Sequence, residues 1–369
     1  MNNWKKVKLS DIINFNPREI LPKGTIAKKI AMEKLEPFTR DIPEFEQLEF
    51  KGGTKFRNGD TLIARITPSL ENGKTAKVSL LDKNEVGFGS TEFIVARAKE
   101  SISDENFVYY LMLNPSIREV AIKSMVGTSG RQRVQLDVVK NHEILCPPLE
   151  EQIQIGKILS VIDDKIENNK KINHHLEEMA TSIFENMFPN VSSGKSTIGN
   201  YIIPKRGKNL LSKDAIVGKV PVVAGGLQPS TFHNIANTKS PVLTISASGA
   251  NAGYVNLWHI PVWSSDSSYI DTSITDNVYF WYVMLKKRQQ EIYDSQTGSA
   301  QPHIYPKHIE IMPTIDLSED KMSHFTKQVT PLFESLGNNI KEIGKLQTLR
   351  NTLLPKLLSG EISVNQAAK

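Results

Sequence analysis

Residues 149–188 read LEEQIQIGKILSVIDDKIENNKKINHHLEEMATSIFENMF, and this stretch decides the fold. Its apolar residues recur at steps of three and four, which is typical of a helix with one apolar stripe. The stripe comprises Ile155, Leu159, Ile162, Ile166, Leu176, Met179, Ile183 and Met187. A helix of about 40 residues spans about 60 Å, far more than most globular helices, so another element must cover this stripe.

A second stretch at residues 320–358 carries the same pattern and is the natural cover. Its stripe comprises Phe325, Val329, Leu332, Leu336, Leu346, Leu349, Leu353 and Leu357. Asn168 and Asn169 match Asn338 and Asn339, and one residue of each pair, Asn169 or Asn339, falls on or beside the stripe. A polar residue there can set the register and orientation of helix pairing. The alternative is that these asparagines face water. We expect the two helices to pair antiparallel as a coiled coil, with one globular domain at each end of a dumbbell.

Further segments repeat outside the helices. Residues 127–134, GTSGRQRV, match residues 297–304, TGSAQPHI, and each is followed by an apolar run that ends in proline. Upstream, residues 60–65 and 87–94 are echoed by residues 242–246 and 263–270, and aromatic stretches follow at 106–113 and 277–285. Because the motifs keep their order, the chain is predicted to contain an internal repeat.

Both globular halves have short apolar runs separated by Gly, Pro, Asn and Ser, which predicts strands and turns with one or two short helices. Strands are predicted at 61–66, 74–80 and 92–98, and at 221–223, 242–246, 254–257 and 268–271. The predicted fold is α+β: two mixed α/β domains joined by two long antiparallel coiled-coil helices, with a pseudo-twofold internal repeat. The expected bounds are a domain at 1–148, a helix at 149–190, a domain at 191–318, a helix at 319–362 and a flexible tail at 363–369.

Composition narrows the class of protein. The chain has 369 residues, 39% of them hydrophobic and 23% charged, which is the balance of a soluble globular protein with at least two domains. No apolar run approaches the roughly 20 residues that a membrane span needs, so we expect a cytoplasmic protein. The single cysteine, Cys146, excludes a disulfide framework and a thiolate metal cluster. A formal charge of +5 suits a polyanionic partner without identifying one.

Polar and basic loop residues are the candidate binding residues. Arginine pairs with guanine and glutamine with adenine in a bidentate manner, and lysine anchors phosphates, so such loops suit DNA. The candidates in the first half are Arg65, Lys74, Lys77, Arg131, Gln132 and Arg133. Those in the second half are Lys205, Arg206, Lys208, Asn209, Ser246, Ser248, Asn251, Gln301 and His303. The alternative is that most of them are ordinary solvated loop residues.

Signatures of catalysis are missing from the sequence. No Asn/Asp-Pro-Pro-aromatic tetrapeptide of a DNA amino-methyltransferase occurs, and Asn114-Pro115-Ser116 is the nearest. Asp60 and the Glu71 to Lys74 segment miss the spacing of a metal-dependent nuclease by one residue. Residues 249–253 lack the lysine of a phosphate-binding loop. His174 and Glu178 stand four apart on the first long helix, but two ligands without a third favour a solvated helix face.

The chain resembles the specificity subunit of type I restriction-modification systems along nearly its whole length. The resemblance rests on residues 4–11 (WKKVKLSD), 58–65 (NGDTLIAR), 147–153 (PPLEEQI) and 349–362 (LRNTLLPKLLSGEI). The second repeat departs from it, because residues 316–321 read DLSEDK where the first repeat has PPLEEQ.

This resemblance implies two target recognition domains that each read one half of an interrupted DNA sequence. It also implies that the paired helices act as a ruler and as the docking surface for two modification (methyltransferase) subunits, which restriction (endonuclease) subunits join. We expect no catalytic residue, metal or cofactor in this chain; S-adenosylmethionine, ATP and Mg²⁺ are expected on the partners. The alternative is a helical scaffold that binds protein without DNA specificity.

Overall fold

The computed structural model describes residues 3–298 and 301–367. The chain forms two compact units: the first contains Met1–Asn168 and Glu342–Lys369, and the second contains Asn169–Lys341. Each long helix therefore contributes one part to each unit. Within the described residues, no helix is both long and apolar enough to cross a membrane.

The first unit is built from three sheets and short helices. Its strands are β1 (Lys5–Lys8), β2 (Ile13–Phe15), β3 (Ile26–Ile30), β4 (Glu46–Glu49), β5 (Thr54–Phe56), β6 (Thr61–Ala64), β7 (Thr75–Lys77), β8 (Gly87–Gly89), β9 (Phe93–Ala98) and β10 (Glu143–Cys146). Its helices are α1 (Leu9–Ile12), α2 (Glu105–Leu113), α3 (Pro115–Lys123), α4 (Leu136–Asn141) and the first part of α5 (Leu149–Met187), with a 3₁₀ turn at Met32–Lys34. The sheet orders are β1-β10, β2-β9-β6-β7 and β4-β3-β8-β5.

The second unit repeats this plan. Its strands are β11 (Ser196–Thr197), β12 (Lys205–Arg206), β13 (Val220–Val223), β14 (Thr231–His233), β15 (Val242–Ser246), β16 (Val255–Trp258), β17 (Trp263–Ser264), β18 (Ser267–Asp271) and β19 (Pro313–Thr314). Its helices are α6 (Val278–Lys287), α7 (Gln289–Asp294), α8 (Pro306–Glu310) and the first part of α9 (Glu319–Ser359), with 3₁₀ turns at Ile198–Asn200 and Ser212–Asp214; α10 (Val364–Ala367) follows α9 in the first unit.

Corresponding sheets confirm the predicted repeat. The order β12-β18-β15-β16 matches β2-β9-β6-β7, and β11-β19 matches β1-β10. A parallel pair occurs at the same place in each unit, β3 with β8 and β13 with β17. Strand β5 extends the first unit's sheet, whereas the corresponding described sheet of the second unit has three strands, β14-β13-β17.

One fully buried helix forms the centre of each core. Residues Phe107 to Leu113 of α2 are all buried, as are residues Val278 to Leu285 of α6. A helix that is apolar all round must be covered on every side, here by a sheet and by the long helices. The Asp104 side chain accepts a hydrogen bond from the backbone N–H of Phe107 at 2.9 Å and so caps α2.

The long helices run antiparallel within each unit, so the predicted fold class is confirmed. In the first unit, Ile155 and Leu159 of α5 share a core with Leu354 and Leu357 of α9. In the second unit, the rings of Phe184 in α5 and Phe325 in α9 lie 5.6 Å apart between their centroids. The Asn339 amide of α9 donates to the Asn173 amide oxygen of α5 at 2.8 Å. Asn169 is buried beside them.

The predicted stripes were wrong at two positions. Met179 and Leu349 are exposed, while Ala180 and Arg350 are buried. Arg350 takes the inner position because Asp163 lies opposite, and its guanidinium donates to that carboxylate at 2.7 Å. The Tyr110 hydroxyl donates to the other oxygen of Asp163 at 2.7 Å.

Breaking this buried ion pair provides a test of the helix pairing. Arg350→Met leaves the Asp163 carboxylate buried without its cation, so we expect a loss of about 3–5 kcal/mol in the free energy of unfolding. Replacing Asp163 by Leu in the same chain restores much of it, because no lone charge remains buried. Urea unfolding measures both effects. Lys165→Met, which breaks the exposed pair of Lys165 with Glu342 at 3.5 Å, is the control and costs about 1 kcal/mol at most; an equal loss in both single variants would contradict the assignment.

His259 packs on the backbone of α9 in the second unit. A Cβ on Gly337 would lie 2.8 Å from the His259 ring, so glycine permits this contact. Burial, with a smaller effect of Lys341, lowers the pKa of His259 from 6.5 to about 4. The folded protein therefore holds this histidine neutral.

This burial predicts a pH-dependent stability. The contribution of His259 to the free energy of unfolding has its full value above pH 6.5 and decreases as the pH falls toward 4. Over this range the unfolded chain binds a proton at His259, whereas the folded protein holds the ring neutral. Between pH 7 and pH 5, we expect the free energy of unfolding to decrease by about 2 kcal/mol less in His259→Gln than in the parent protein. Urea unfolding followed by the fluorescence of Trp258, Trp263 and Trp281 measures it. His324→Gln, at an exposed site, should keep the parent's pH dependence; an unchanged slope in His259→Gln would refute the prediction.

Candidate nucleic-acid interface

Two arginines and a glutamate meet at one end of the β2-β9-β6-β7 sheet of the first unit. Arg65 follows β6, Glu92 precedes β9, and the backbone of Arg133 bridges to Ile66 and Val126. The Arg133 guanidinium donates to the Glu92 carboxylate from Nη2 at 2.7 Å and from Nε at 3.0 Å. Arg65 Nε lies 4.0 Å from the same carboxylate. We call Arg65, Glu92 and Arg133 the first corner.

The charged side chains of the first corner stabilise one another's ionised forms. Hydrogen bonding from Arg133 lowers the pKa of Glu92, with Coulombic help from Arg133 and Arg65, and the Glu92 carboxylate raises the pKa of Arg133. The Arg133 side chain is 44% exposed, so the pair adds little stability. Its effect is to fix the direction of a solvent-facing guanidinium.

An equivalent corner lies in the second unit. The N–H of Ala247 donates to the Asp266 carbonyl as the N–H of Arg65 does to that of Glu92. His303 bridges to Ser248 and Thr297, as Arg133 bridges to Ile66 and Val126. The Asp266 carboxylate accepts from Arg206 Nη2 at 2.7 Å and from the Ser248 hydroxyl. We call Arg206, Ser248, Asp266 and His303 the second corner.

The two corners share a backbone but differ in side chains. A carboxylate stands at the same place in both, whereas Arg133 and Ile66 of the first repeat are replaced by His303 and Ser248 in the second. Arginine presents only donors, while histidine and serine present donors and acceptors. The two corners therefore suit different hydrogen-bonding patterns in their ligands.

Three of the residues singled out in the sequence have side chains that are engaged elsewhere. Lys77 pairs with Glu105 at 2.7 Å and sits opposite Thr61, at the end of β6 away from Arg65. Lys74 Nζ donates to the carbonyl of Met32 at 2.9 Å. Ser246 is buried. The structure does not bring these three side chains into the corners.

The other residues singled out lie at or near the corners with accessible side chains. The backbone N–H of Gln132 donates to the Thr67 hydroxyl, and the Gln132 carbonyl accepts from the Thr67 N–H. Asn251 belongs to the turn that joins β15 to β16. Those with exposed side chains are Arg131, Lys205, Lys208, Asn209 and Gln301. Arg65, Arg133, Arg206, Ser248 and His303 are the ones that the strand register brings together in corners.

Glu92 and Asp266 were missed by the sequence reasoning. Aligning residues 87–94 with 263–270 pairs Ile94 with Ile270, whereas the strand register pairs Ala96 with Ile270 and so superimposes the two acids. Arg18 was missed as well: it lies three residues after β2, the strand whose counterpart in the second unit is β12 (Lys205–Arg206). Counting from the β9 and β18 strands, rather than from the sequence motif, would have found the two acids.

Histidine, cysteine and acidic side chains are the groups of the described chain that could hold a metal ion. Within residues 3–298 and 301–367, no group of three or more His, Cys, Asp or Glu residues has the arrangement of a metal site. His174 Nε2 lies 3.3 Å from Glu178 on an exposed helix face.

Comparison with known proteins shows what the chain is similar to. Residues 1–178 match the family model described as the type I restriction modification DNA specificity domain. Relatives named as type I specificity subunits match over most of the chain. A type I restriction enzyme MjaIX specificity subunit from Methanocaldococcus jannaschii is 27% identical over 309 residues, which cover 73% of this chain and 71% of that subunit. A putative type I specificity subunit from Mycoplasma genitalium is 25% identical over 383 residues, covering 95% and 96%.

A solved structure supports the fold independently. The S subunit of a type I restriction-modification system from M. genitalium matches with a TM-score of 0.59 and 22% identity over 96% of both chains. The match of residues 1–178 to a DNA specificity domain is the finding that points to DNA recognition by this chain.

Proposed function

We propose that this chain is a type I specificity subunit, which reads a two-part DNA target, one half-site per repeat, and performs no chemistry itself. It would dock two modification (methyltransferase) subunits, which would bring S-adenosylmethionine, and restriction subunits, which would bring ATP and Mg²⁺. The missing methyltransferase, nuclease and phosphate-loop motifs in the sequence support a non-catalytic role.

The observation that carries this proposal is the pair of equivalent corners with unlike side chains. Arg65, Arg131 and Arg133 of the first repeat match the acceptor atoms on the major-groove edge of guanine. Gln301 and His303 of the second repeat offer donors and acceptors and therefore suit a different base pattern. Two readers on one scaffold, each with its own pattern, fit an interrupted and asymmetric target.

Single substitutions in each corner should change one half-site at a time. We expect Arg133→Ala to relax base preference in one half of the methylated motif, and His303→Ala to relax it only in the other half. Losing a good base contact lowers discrimination at that base by about 1–3 kcal/mol. Methylome sequencing of cells that express each variant with its modification partners reads both halves at once. Lys123→Ala, an exposed change on α3, is the matched control and should leave the motif intact.

Two results would contradict the proposal. If each corner variant altered both halves equally, the repeats would not read separate half-sites. If the assembled parent chain bound random and target DNA alike, a scaffold without DNA specificity would be the better description.

A further inference from the structure

A cavity of about 570 Å³ opens beside the first corner, and no role has been given to it above. Its lining includes Arg18, Lys55 and Arg65, together with Glu19 and Ile20. All of these residues belong to the first unit. Three cationic side chains from separate segments of the chain thus converge on one concave surface.

All three of these cations have unused donors. Arg18 is exposed and forms no side-chain hydrogen bond or ion pair with the described residues. Arg65 Nε is buried and has no hydrogen-bond partner there. Lys55 Nζ is held in place by donating to the carbonyl of Glu19 at 3.0 Å, and its other two N–H groups remain available.

The one acidic side chain of the cavity is already neutralised. The Glu19 carboxylate forms ion pairs with Arg97 Nη1 at 2.6 Å and with Arg57 Nη2 at 2.8 Å. Burial raises the pKa of Glu19, but these two arginine hydrogen bonds outweigh it and the pKa is lowered. Arg97 in turn is held by the buried Asp60 at 2.6 Å. This closed network leaves Arg18, Lys55 and Arg65 to set the charge of the cavity.

The second repeat also carries cations beside the edge strand that corresponds to β2. Arg18 lies three residues after β2, and β12 occupies the matching edge of the second unit's four-stranded sheet. Lys205 lies in β12 and Lys208 lies two residues after it, and both are exposed. The segments that follow β2 and β12 differ in sequence, and what they share is positive charge beside the edge strand of corresponding sheets. This indicates a ligand feature that is common to both half-sites.

We propose that this cavity holds a backbone phosphate of the DNA, with Ile20 resting on the adjoining deoxyribose. A phosphate is common to every half-site, whereas base edges differ. The side chains in the cavity also offer charge rather than a base-reading pattern, since Asn16 already uses its amide oxygen to accept from the N–H of Val95. Ile20 is 88% exposed beside the cations, an arrangement that fits a sugar next to a phosphate better than a free anion. The inference rests on the proposed function and assigns phosphate positioning to Arg18 and Lys55, which lie outside the first corner, with Arg65 at the boundary between the two.

The test uses Arg18→Ala, because Arg18 has no described partner whose loss would disturb folding. In the full chain assembled with its modification subunits, binding to target and to random duplex DNA should weaken by the same factor. The slope of log K against log salt concentration should become shallower by about 0.9, as expected for one lost phosphate contact. Arg18→Lys should recover most of the slope, since a phosphate accepts either cation. Lys5→Ala, an exposed change on β1 outside the cavity, should leave affinity and slope at the parent's values.

Each other outcome overturns the proposal in a distinct way. A change in the methylated motif of Arg18→Ala would make Arg18 a base-reading residue. An unchanged affinity and slope would remove the cavity from the DNA interface. If the parent bound DNA without preferring any sequence, the proposed function would fail while the comparison of salt slopes still decided the cavity. If the parent bound no DNA, both would fail.

Discussion

The structure depends on covering the apolar faces of two helices that are too long to be buried by one small domain each. In the first unit α5 lies against the C-terminal part of α9, and in the second against its N-terminal part, so each unit contains residues from distant parts of the sequence. The first unit therefore cannot form without the C-terminal segment of the chain. The buried pair of Asp163 and Arg350 strengthens this dependence, because neither charge tolerates burial without the other.

Duplication of this plan gives two equivalent places at which to hold a ligand. The backbone pairings around Arg133 and His303 are the same, and a carboxylate, Glu92 or Asp266, orients a neighbouring arginine in each. Because the backbone is fixed by strand pairing, side chains at the corners are free to differ without disturbing the fold.

The candidate site was partly predictable. Arg65, Arg133, Arg206, Ser248 and His303 were singled out from the sequence, and they lie in the corners. Their role in binding DNA stays a prediction. Lys74, Lys77 and Ser246 look like loop donors in sequence, but their side chains are directed to other partners or buried, which depends on contacts with Met32 and Glu105 that no local pattern encodes.

The sequence by itself determined the long helices, the repeat and the resemblance to type I specificity subunits, because periodic apolar residues and ordered motifs are local properties of the chain. Only the tertiary structure decided which residues meet. A shift of two residues in strand register superimposes Glu92 on Asp266, and one step around a helix replaces Leu349 with Arg350 in the core. Register and facing arise from pairing between segments that are distant in sequence, so the partner of a residue, unlike its periodicity, cannot be read from its neighbours.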